Sequence, residues 1–558
     1  MQIVIPMSGF GERFRRAGYN LPKPLIEIDG KPIIGHVIDM FPGENDFIFI
    51  CNEDHLNNPD YDMKKIIHHY CPTGRIFGIA AHKLGPIHAV LQISDVLDVD
   101  RPVVVNYCDF TCYWDWQNFK KFVSDSNCIG SIPAYKGFHP HSLGNTNYAY
   151  LKEQNGLVSD IQEKQPYTNN RMDEFASSGT YYFASGEIMI DAFRSVIEQD
   201  LNVNGEYYVS LAYKILLAND NLVTVYPLQH FMQWGTPDDV DEYNSWSAIF
   251  SRLMTPSRII AERKGSCIIP MAGLGQRFVN EGYSLTKPLI PVSGRPMVVQ
   301  ATHDLPAAEN HVFVIREDMK GYTEVCTMIS TLYPTAVIKT IDGVTEGQAC
   351  TALIGLDALA EKDSGIYDPI TFGACDNGAL YNADKLLKLS EAPEIDVIVW
   401  GMRGYCNAAR SPAMFGWIDS DEHGNIKAIS VKKPLSNPKS DPVVLGTFTF
   451  RKSEHFRLSL ARLIERDGKV NGEFYIDSLI NDAIALGLKC QLFEVDDYLC
   501  WGTPNDLRTY EYWQSCFHKW DGHPYTLDHD ARIPQDQLEI LKEMCKLPPP
   551  LYSVARND

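Results

Sequence analysis

The apolar positions at the start of this chain form short continuous runs separated by turn residues. Such runs occur at residues 1–7, 46–51 and 101–109. Short apolar runs bounded by turn residues are typical of strands that are buried on both faces of a sheet. We therefore expect three buried strands in the first part of the chain.

Between these runs, apolar residues recur at the spacing of a helix, which predicts helices at residues 88–97 and 209–220. In the second of these, one helical face carries Val209, Ala212, Tyr213, Leu216 and Leu217. A stripe of the same spacing occurs much later, at Ile476, Leu479, Ile480, Ala483 and Ile484. Strands that alternate with helices predict an α/β fold with a mainly parallel central sheet. Such sheets bind ligands outside the carboxyl ends of their strands.

One long string of the chain occurs twice. IPMSGFGERFRRAGYNLPKPLIEIDGKP begins at Ile5, and IPMAGLGQRFVNEGYSLTKPLIPVSGRP begins at Ile269. Further along, WGTPDDVDEY at Trp234 is matched by WGTPNDLRTY at Trp501. A repeat on this scale predicts a duplicated domain rather than a short stacked repeat unit.

The repeat predicts two tandem domains, at residues 1–250 and 265–514, joined by a short linker. Each copy is long enough to bury a core of its own. The extension at residues 515–558 has no counterpart in the first copy, and we expect one helix in it, near residues 535–546.

Composition narrows the class of protein. The chain is 45% hydrophobic and 22% charged, which is typical of globular proteins, and we see no apolar run long enough for a membrane span. We expect no signal peptide, and the fourteen cysteines contain no Cys-x-x-Cys pair, so we predict a cytoplasmic protein with free thiols. A formal net charge of −21 argues against a nucleic-acid partner.

The repeated string contains the residue types that bind phosphate groups. Gly9 and Gly11 let backbone N–H groups approach an anion, while Arg13 and Lys23 add positive charge. A tight turn would also explain two glycines, and the string matches neither G-x-G-x-x-G nor the P-loop pattern. The longer pattern G-x-G-x-R-F-x(8)-K-P-L occurs in both copies with its charges intact, which favours a polyphosphate site.

This pattern, together with the later blocks, resembles the sugar-phosphate nucleotidyltransferases, which are nucleoside-diphosphate-sugar pyrophosphorylases with a GT-A-like α/β fold. The form of the string and the WGTP block resemble members linked to capsule and surface-polysaccharide synthesis. The resemblance implies an enzyme that condenses a nucleoside triphosphate, with CTP favoured over UTP or dTTP, and a sugar or polyol phosphate. It also implies Mg²⁺ as cofactor and pyrophosphate as second product.

The resemblance also implies roles for individual residues, copy by copy. The nucleotide would contact Met7, Ser8, Gly9, Gly11 and Gly85, and in the second copy Met271, Ala272, Gly273, Gly275, Gly347 and Gln348. The transferring phosphoryl group and the sugar phosphate would meet Arg13, Lys23 and Lys164, and in the second copy Arg277, Lys287 and Lys433. The sugar would contact Gly179 and Glu206, and in the second copy Gly446 and Glu473. The metal ion would be bound by Asp109 and Asp376.

The residue inventory agrees with phosphoryl chemistry. The nucleophile would be an oxygen of a phosphate monoester, which is largely dianionic at neutral pH and needs no general base. Positive charge and a metal ion are needed instead, to bring two anions together.

One part of the family pattern is missing. Many members carry a second metal-binding aspartate two residues before the glycine of WGTP, where this chain has Gln233 and Cys500. Neither is a hard ligand like a carboxylate. Asp238 and Asp506 are nearby candidates to replace it.

Several alternatives stay open. Lys164 and Lys433 could be surface lysines, and Glu206 and Glu473 could be carboxylates in the first turn of a helix. Both copies could be active, one could be a regulatory remnant, or the pair could imitate a dimer of single-domain enzymes. A GT-A glycosyltransferase and a non-catalytic nucleotide-sugar sensor are the other classes considered. Neither would release pyrophosphate.

Overall fold

The computed structural model describes residues 1–145, 147–255, 265–361 and 368–546. Residues 256–264 of the predicted linker and residues 547–558 of the predicted extension lie outside the described residues. Within the described parts, no helix is both long and apolar enough to cross a membrane.

The chain divides into two units. Unit 1 contains residues 1–248, 515–524 and 545–546, and unit 2 contains residues 249–514 and 525–544. Residues 515–546 are therefore divided between the two units.

In unit 1, strands and helices alternate over the first half. The strands are β1 (Gln2–Met7), β2 (Glu27–Ile28), β3 (Lys31–Pro32), β4 (Phe47–Asn52), β5 (Arg75–Ile79), β6 (Val103–Asn106), β7 (Phe110–Tyr113), β8 (Gly130–Tyr135), β9 (Ala149–Gln154), β10 (Leu157–Glu163), β11 (Phe175–Ser177), β12 (Thr180–Phe183), β13 (Val223–Pro227) and β14 (His230–Gln233). The helices are α1 (Glu12–Arg16), α2 (Ile33–Asp39), α3 (Glu53–Asn57), α4 (Met63–Tyr70), α5 (Pro86–Leu91), α6 (Trp116–Ser126), α7 (Gly186–Glu198), α8 (Ala212–Ala218) and α9 (Pro237–Leu253).

The central sheet of unit 1 is mixed. Strands β5, β4, β1 and β6 run parallel, as do β8 and β13, but β12 is antiparallel to both β6 and β8. Strands β9 and β10 form an antiparallel hairpin whose turn residues Asn155 and Gly156 both have positive φ. Asn-Gly is the strongest short signal for such a hairpin. The prediction of a mainly parallel sheet therefore holds for the first half of the unit and is wrong for the second.

In unit 2, the strands are β15 (Ser266–Pro270), β16 (Pro291–Val292), β17 (Arg295–Pro296), β18 (Asn310–Arg316), β19 (Val337–Ile341), β20 (Ile370–Phe372), β21 (Asn377–Leu380), β22 (Val397–Met402), β23 (Gly416–Ser420), β24 (Ile426–Val431), β25 (Val443–Phe450), β26 (Cys490–Glu494) and β27 (Asp497–Cys500). The helices are α10 (Gln276–Asn280), α11 (Met297–His303), α12 (Tyr322–Leu332), α13 (Gln348–Glu361), α14 (Ala383–Glu391), α15 (Cys406–Arg410), α16 (Ser453–Glu465), α17 (Ile476–Ala485), α18 (Pro504–Lys519) and α19 (Leu538–Cys545).

The two units use the same strand order. Unit 1 reads β5-β4-β1-β6-β12-β8-β13, and unit 2 reads β19-β18-β15-β20-β25-β22-β26. Each unit also has a separate two-stranded ribbon, β7 with β14 and β21 with β27. These ribbons carry the residues that follow the two predicted metal aspartates, and they also carry Gln233 and Cys500.

Most of the elements predicted from periodicity are present. Strands β1, β4 and β6 confirm the three apolar runs, and their interior positions are buried. Helix α17 confirms the late apolar stripe. Helix α5 ends earlier than predicted, and α8 begins only after a 3-10 turn at Val209–Leu211. Helix α19 lies within the residues predicted for the extension.

The fold explains why the glycine loop and Asp109 come together. Strands β1 and β6 are parallel neighbours, with Gln2 opposite Val103. The loop after β1 and the loop after β6 therefore leave the sheet at the same edge, which is the usual ligand edge of an α/β sheet.

Candidate functional site

A cavity of about 580 Å³ opens at this edge of unit 1. All eleven residues predicted for the first copy line it: Met7, Ser8, Gly9, Gly11, Arg13, Lys23, Gly85, Asp109, Lys164, Gly179 and Glu206. A cavity of this volume is large enough for a small organic ligand.

The loop after β1 owes its shape to glycine. Gly11 caps α1 in the left-handed conformation, with φ of 62°. Gly275 caps α10 in the same way, with φ of 63°. Such φ values are strained for residues with a Cβ, so glycine is favoured at both positions. A Cβ on Gly9 or Gly273 would meet nothing within 4 Å, so the space beside these glycines is open.

A lysine and an aspartate form an ion pair in each unit. Lys23 Nζ donates to Asp109 Oδ2 at 2.9 Å, and Lys287 Nζ donates to Asp376 Oδ2 at 2.5 Å. Burial disfavours the charged form of Lys23, but the neighbouring carboxylate outweighs this effect and raises the pKa of the lysine. Burial also disfavours the charged form of Lys287, but the carboxylate of Asp376 outweighs this effect and raises its pKa. Both lysines therefore stay charged at neutral pH.

The glycine of each WGTP block lies against the aspartate of the ion pair. A Cβ on Gly235 would stand 3.3 Å from Asp109 Oδ2, and one on Gly502 would stand 3.3 Å from Asp376 Oδ2. The backbone N–H groups of Trp234 and Trp501 donate to the carbonyl oxygens of these aspartates. The WGTP block therefore helps to hold the aspartate in place and leaves room beside its carboxylate.

The residues beside Asp109 are suited to a hard divalent cation. The Oε1 atom of Gln233 is buried and accepts no hydrogen bond from the described residues. The Gln233 amide and Asp109 Oδ2 both lie within 3.7 Å of the point where a Cβ on Gly235 would stand. Carboxylate and amide oxygens are both ligands of Mg²⁺ and Ca²⁺. Asp109 and Gln233 could therefore hold such an ion together.

Asp239 is the carboxylate that contacts Gln233. Gln233 Nε2 donates to Asp239 Oδ2 at 2.7 Å, and Thr236 donates to the same oxygen. Burial raises the pKa of Asp239, and the charge of Asp109 adds to the effect. The side chain of Asp238 is exposed. The carboxylate that contacts Gln233 therefore lies one residue after Asp238, and a metal-binding role for Asp238 stays a prediction.

Unit 2 offers a softer set of donors. Cys500 occupies the position of Gln233, and its Sγ lies 3.7 Å from Asp506 Oδ2. Burial raises the pKa of Cys500 well above its ordinary value, so the thiol stays protonated. Among the residues that the structure describes, no group of three or more histidine, cysteine, aspartate or glutamate side chains could hold a metal ion. Any cation in either unit therefore depends on other oxygens for most of its ligands.

Gly85 and Gly347 are needed for a close backbone approach. A Cβ on Gly85 would stand 2.7 Å from the backbone N and O atoms of Tyr207, and one on Gly347 would stand 2.5 Å from the backbone N of Phe474. The φ angles of these glycines are 88° and 134°. Helix α13 begins with Gln348, whereas α5 begins with a proline. The two units therefore have different residues after the equivalent glycines, Pro86 after Gly85 and Gln348 after Gly347.

A chain of hydrogen bonds joins three other residues that line the unit 1 cavity. Lys164 Nζ donates to the hydroxyl of Tyr208 at 2.6 Å, and this hydroxyl donates to Glu206 Oε2 at 2.6 Å. Glu206 precedes α8 by several residues and pairs with Val203 in an isolated bridge. The alternative of a carboxylate in the first turn of a helix is therefore wrong for Glu206. Gly179, with φ of 97°, packs against Tyr107 and Phe110.

In unit 2, the structural equivalent of Lys164 is Lys432 and not Lys433. Lys164 and Lys432 have φ angles of 61° and 60°. The backbone N–H of Lys164 donates to the carbonyl oxygen of Tyr148, and that of Lys432 donates to the carbonyl oxygen of Phe415. The side chain of Lys433 is exposed. The sequence register was therefore wrong by one residue at this position.

The remaining residues predicted for the second copy occupy matching places. Met271, Ala272 and Gly273 follow β15, and Arg277 lies on α10. Gly446, with φ of 88°, lies within β25 beside Ala374. Glu473 pairs with Val470 in an isolated bridge before α17, so here too the alternative of a first-turn helix carboxylate is wrong.

The residues that line the unit 1 cavity but were missed in the sequence include Tyr107, Glu163 and Tyr208. Tyr208 could have been found, because it lies in the same NGEYY block as Glu206. Glu163 directly precedes Lys164, and its Oε2 accepts a hydrogen bond from Ser210 Oγ at 2.6 Å. Burial raises the pKa of Glu163 above its ordinary value.

The chain is similar in sequence to several known proteins. The chain is 24% identical over 247 residues to the bifunctional protein GlmU of Methanocaldococcus jannaschii, covering 44% of this chain and 54% of that protein. It is 26% identical over 192 residues to the catalytic subunit beta of mannose-1-phosphate guanylyltransferase from Dictyostelium discoideum, covering 33% of this chain and 49% of that protein. The chain thus spans about half the length of the relatives it matches.

Solved structures give further similarities. A nucleoside-diphosphate-sugar pyrophosphorylase from Vibrio cholerae RC9 is 20% identical, with a TM-score of 0.35 over 44% of this chain and 99% of its own. The inositol-1-phosphate CTP transferase from T. maritima is 14% identical, with a TM-score of 0.35 over 45% of this chain and 95% of its own. Residues 3–211 match the family model for nucleotidyl transferases. Over these residues, the chain is similar to the nucleotidyl transferase family.

Proposed function

We propose that this protein is a sugar-phosphate nucleotidyltransferase, which condenses a nucleoside triphosphate with a sugar or polyol phosphate and releases pyrophosphate. The observation that carries the proposal is the unit 1 cavity, where a glycine loop, the Lys23–Asp109 pair and Lys164 line one space. The match of residues 3–211 to the nucleotidyl transferase model supports the same activity.

The proposed reaction is an in-line phosphoryl displacement. An oxygen of the acceptor's phosphate monoester attacks the α-phosphorus of the nucleotide, a new P–O bond forms, and the bond between the α-phosphorus and the bridging oxygen breaks. The pyrophosphate leaves with that oxygen. Because both reactants are anions, the main task of the site is to position them and to offset their charge.

In unit 1, the predicted cationic residues each have a place in this scheme. The backbone of the glycine loop and Arg13 bind the triphosphate, and Lys23 faces the transferring phosphoryl group. Lys164 binds the phosphate of the acceptor, with Tyr208 and Glu206 fixing the position of its ammonium group.

A divalent cation, for which we propose Mg²⁺, would be held by Asp109 and the amide oxygen of Gln233. When bound, it would neutralise part of the negative charge on the nucleotide phosphates. Asp239 fixes the orientation of the Gln233 amide through a hydrogen bond of 2.7 Å, so that Oε1 is left as the free acceptor. In unit 2 the position of Gln233 is taken by Cys500, a protonated thiol, so Asp376 has no amide oxygen beside it there.

We propose further that unit 2 is a second nucleotidyltransferase domain of the same kind. The two units share their strand order, their lysine–aspartate pair and their left-handed glycine cap. CTP is the favoured nucleotide and capsule or surface-polysaccharide synthesis the favoured role, both on the resemblance alone. The softer metal site favours a second candidate for unit 2, a domain that binds a nucleotide sugar without turnover.

The test is pyrophosphate release with Mg²⁺, with CTP, UTP, dTTP, ATP and GTP each paired with a panel of sugar and polyol phosphates. The variants Asp109→Asn and Asp376→Asn are assayed separately, and each is expected to lose one activity by about 100-fold or more. If Asp109→Asn alone removes all activity, unit 2 is a binding or supporting domain. If the wild-type protein releases pyrophosphate with no pair but binds a nucleotide sugar in calorimetry, the transferase proposal fails.

A further inference from the structure

Each unit places a carboxylate beside its equivalent lysine, Lys164 or Lys432, but the two units take this carboxylate from different elements. In unit 1 the carboxylate is Glu163, the last residue of β10, which is followed by Lys164. In unit 2 the residue before Lys432 is Val431, the last residue of β24. The carboxylate near Lys432 is instead Asp477, the second residue of α17.

The strand pairing shows that these positions correspond. Glu163 is paired with Ala149 across the β9–β10 hairpin, and Val431 is paired with Gly416 across the β23–β24 hairpin. Val431 therefore stands where Glu163 stands, and Gly416 stands where Ala149 stands.

The residues that follow Tyr208 in unit 1 and Tyr475 in unit 2 correspond in the same way. Ser210 follows Tyr208 by two residues, and Asp477 follows Tyr475 by two residues. Lys164 Nζ lies 4.4 Å from the centre of the Tyr208 ring, and Lys432 Nζ lies 5.9 Å from that of Tyr475. Asp477 therefore stands where Ser210 stands.

The three differences compensate one another. A Cβ on Gly416 would overlap the carboxylate of Asp477, so the space for this carboxylate exists because residue 416 is glycine. In unit 1, Ala149 fills that space, and the short Ser210 side chain donates to Glu163 at 2.6 Å. At these three corresponding positions, unit 1 has Ser210, Ala149 and Glu163, and unit 2 has Asp477, Gly416 and Val431. In both units one carboxylate remains.

Retaining a carboxylate here has an energetic cost. Burial raises the pKa of Asp477 to about 6, although the charge of Lys432 opposes the shift. A buried carboxylate is costly unless hydrogen-bond donors satisfy it. Hydroxyl groups of a ligand would supply such donors.

We propose that Asp477 is the acceptor-binding carboxylate of unit 2 and accepts hydrogen bonds from the hydroxyl groups of a phosphorylated sugar or polyol. This inference rests on the proposed function. In unit 1 the carboxylate belongs to Glu163 at the end of strand β10, and its side chain has two methylene groups. In unit 2 it belongs to Asp477 on helix α17, and its side chain has one methylene group. The two units therefore select acceptors that differ in the position of a hydroxyl group.

The test isolates unit 2 in the full-length Asp109→Asn protein and adds Asp477→Asn, which keeps the shape of the side chain and removes its charge. Removing a hydrogen bond to a charged group is expected to raise the KM for the acceptor by about 10-fold, with the KM for the nucleotide unchanged. Glu465→Gln, an exposed carboxylate at the end of α16, is the matched control and should change neither value.

A transplant tests selectivity directly. The triple variant Gly416→Ala, Val431→Glu, Asp477→Ser returns the carboxylate to the strand. It is expected to shift the acceptor preference of unit 2 towards the acceptor used by unit 1, which is measured in the Asp376→Asn protein. Folding of every variant is checked by its thermal unfolding transition.

The outcomes separate the inference from the proposed function. If unit 2 is active and Asp477→Asn leaves the acceptor KM unchanged, the inference is overturned and the proposed function stands. If no pyrophosphate is released but calorimetry shows a sugar or polyol phosphate that binds and is lost in Asp477→Asn, the proposed function fails and the inference stands. If unit 2 neither turns over nor binds any member of the panel, both are overturned.

Discussion

The ammonium group of Lys432 lies over the ring of Tyr475, 5.9 Å from its centre. Lys433, the next residue, has an exposed side chain. We therefore expect Lys432→Met to lower the activity of unit 2 by about 100-fold, because a cation that faces an anionic acceptor is removed. Lys433→Met is the matched control and should keep nearly full activity. Pyrophosphate release in the Asp109→Asn background measures both, and a larger loss from Lys433→Met would restore the register read from the sequence.

Gly85→Ala and Gly347→Ala are expected to destabilise their own units. Each added Cβ would meet backbone atoms at 2.7 Å or less, where no side chain can move away, and each position has positive φ. We expect a loss of about 1–3 kcal/mol in the free energy of unfolding, since backbone strain of this kind has that magnitude. Urea unfolding measures the loss. Gly343→Ala, whose Cβ would meet nothing within 4 Å, is the control and should unfold like the wild-type protein.

Glu511 makes the stability of unit 2 depend on pH. Burial raises the pKa of this carboxyl group from 4.5 to about 8, and its Oε2 atom has no hydrogen-bond partner among the described residues. The raised pKa means that the protonated form favours the folded state. The resulting stability is fully present below pH 4.5 and is lost as the pH rises through about 8.

Glu511→Gln should remove this dependence, because the amide stays neutral at every pH. The variant is expected to be more stable than the wild-type protein by several kcal/mol at pH 8 and to differ little at pH 4.5. Urea unfolding across this pH range provides the measurement. A constant difference between the two proteins at all pH values would contradict the assignment of the shift to Glu511.

Arg532 forms a buried ion pair with Asp304 in unit 2. The two side chains are 7% and 8% exposed, and Arg532 Nη2 donates to Asp304 Oδ2 at 2.8 Å. Removing one partner leaves an uncompensated buried charge, so Arg532→Met and Asp304→Asn are each expected to cost about 3–5 kcal/mol. The guanidinium group also lies over the ring of Trp501, 5.6 Å from its centre.

The double variant of Arg532→Met and Asp304→Asn should lose less stability than the sum of the two single variants, because neither member of this pair is then left without the other. Urea unfolding of the three variants gives the coupling energy. Strictly additive losses would show that the two side chains do not stabilise each other.

The sequence predicted parts of the site correctly where the residues follow neighbouring parallel strands. The glycine loop and Asp109 could be placed together because each follows a buried apolar strand, and the ends of parallel neighbours meet at one edge. The Asn155-Gly156 turn was an available signal for the antiparallel hairpin, so the mixed sheet of unit 1 could have been predicted in part.

The position of Lys432 could not be read reliably from the repeat. Glu163 and Ala149 are paired in unit 1, while Val431 and Gly416 are paired in unit 2, where the hairpin is one residue longer. The extra residue shifts only the positions near it, because Gly179 and Gly446 return to the sequence offset that separates Asp109 from Asp376. The pairing of β23 with β24 is a property of the folded sheet.

By itself, the sequence determined the repeat and the α/β class and predicted which residues bind phosphate, because glycine, arginine, lysine and aspartate act through their own chemistry in a local pattern. Only the tertiary structure decided that Asp239 contacts Gln233, that Lys432 is the equivalent of Lys164, and that Asp477 is the carboxylate near Lys432. These relationships join residues on different strands and helices. Their distances are determined by how the elements pack, and no local pattern of residues encodes them.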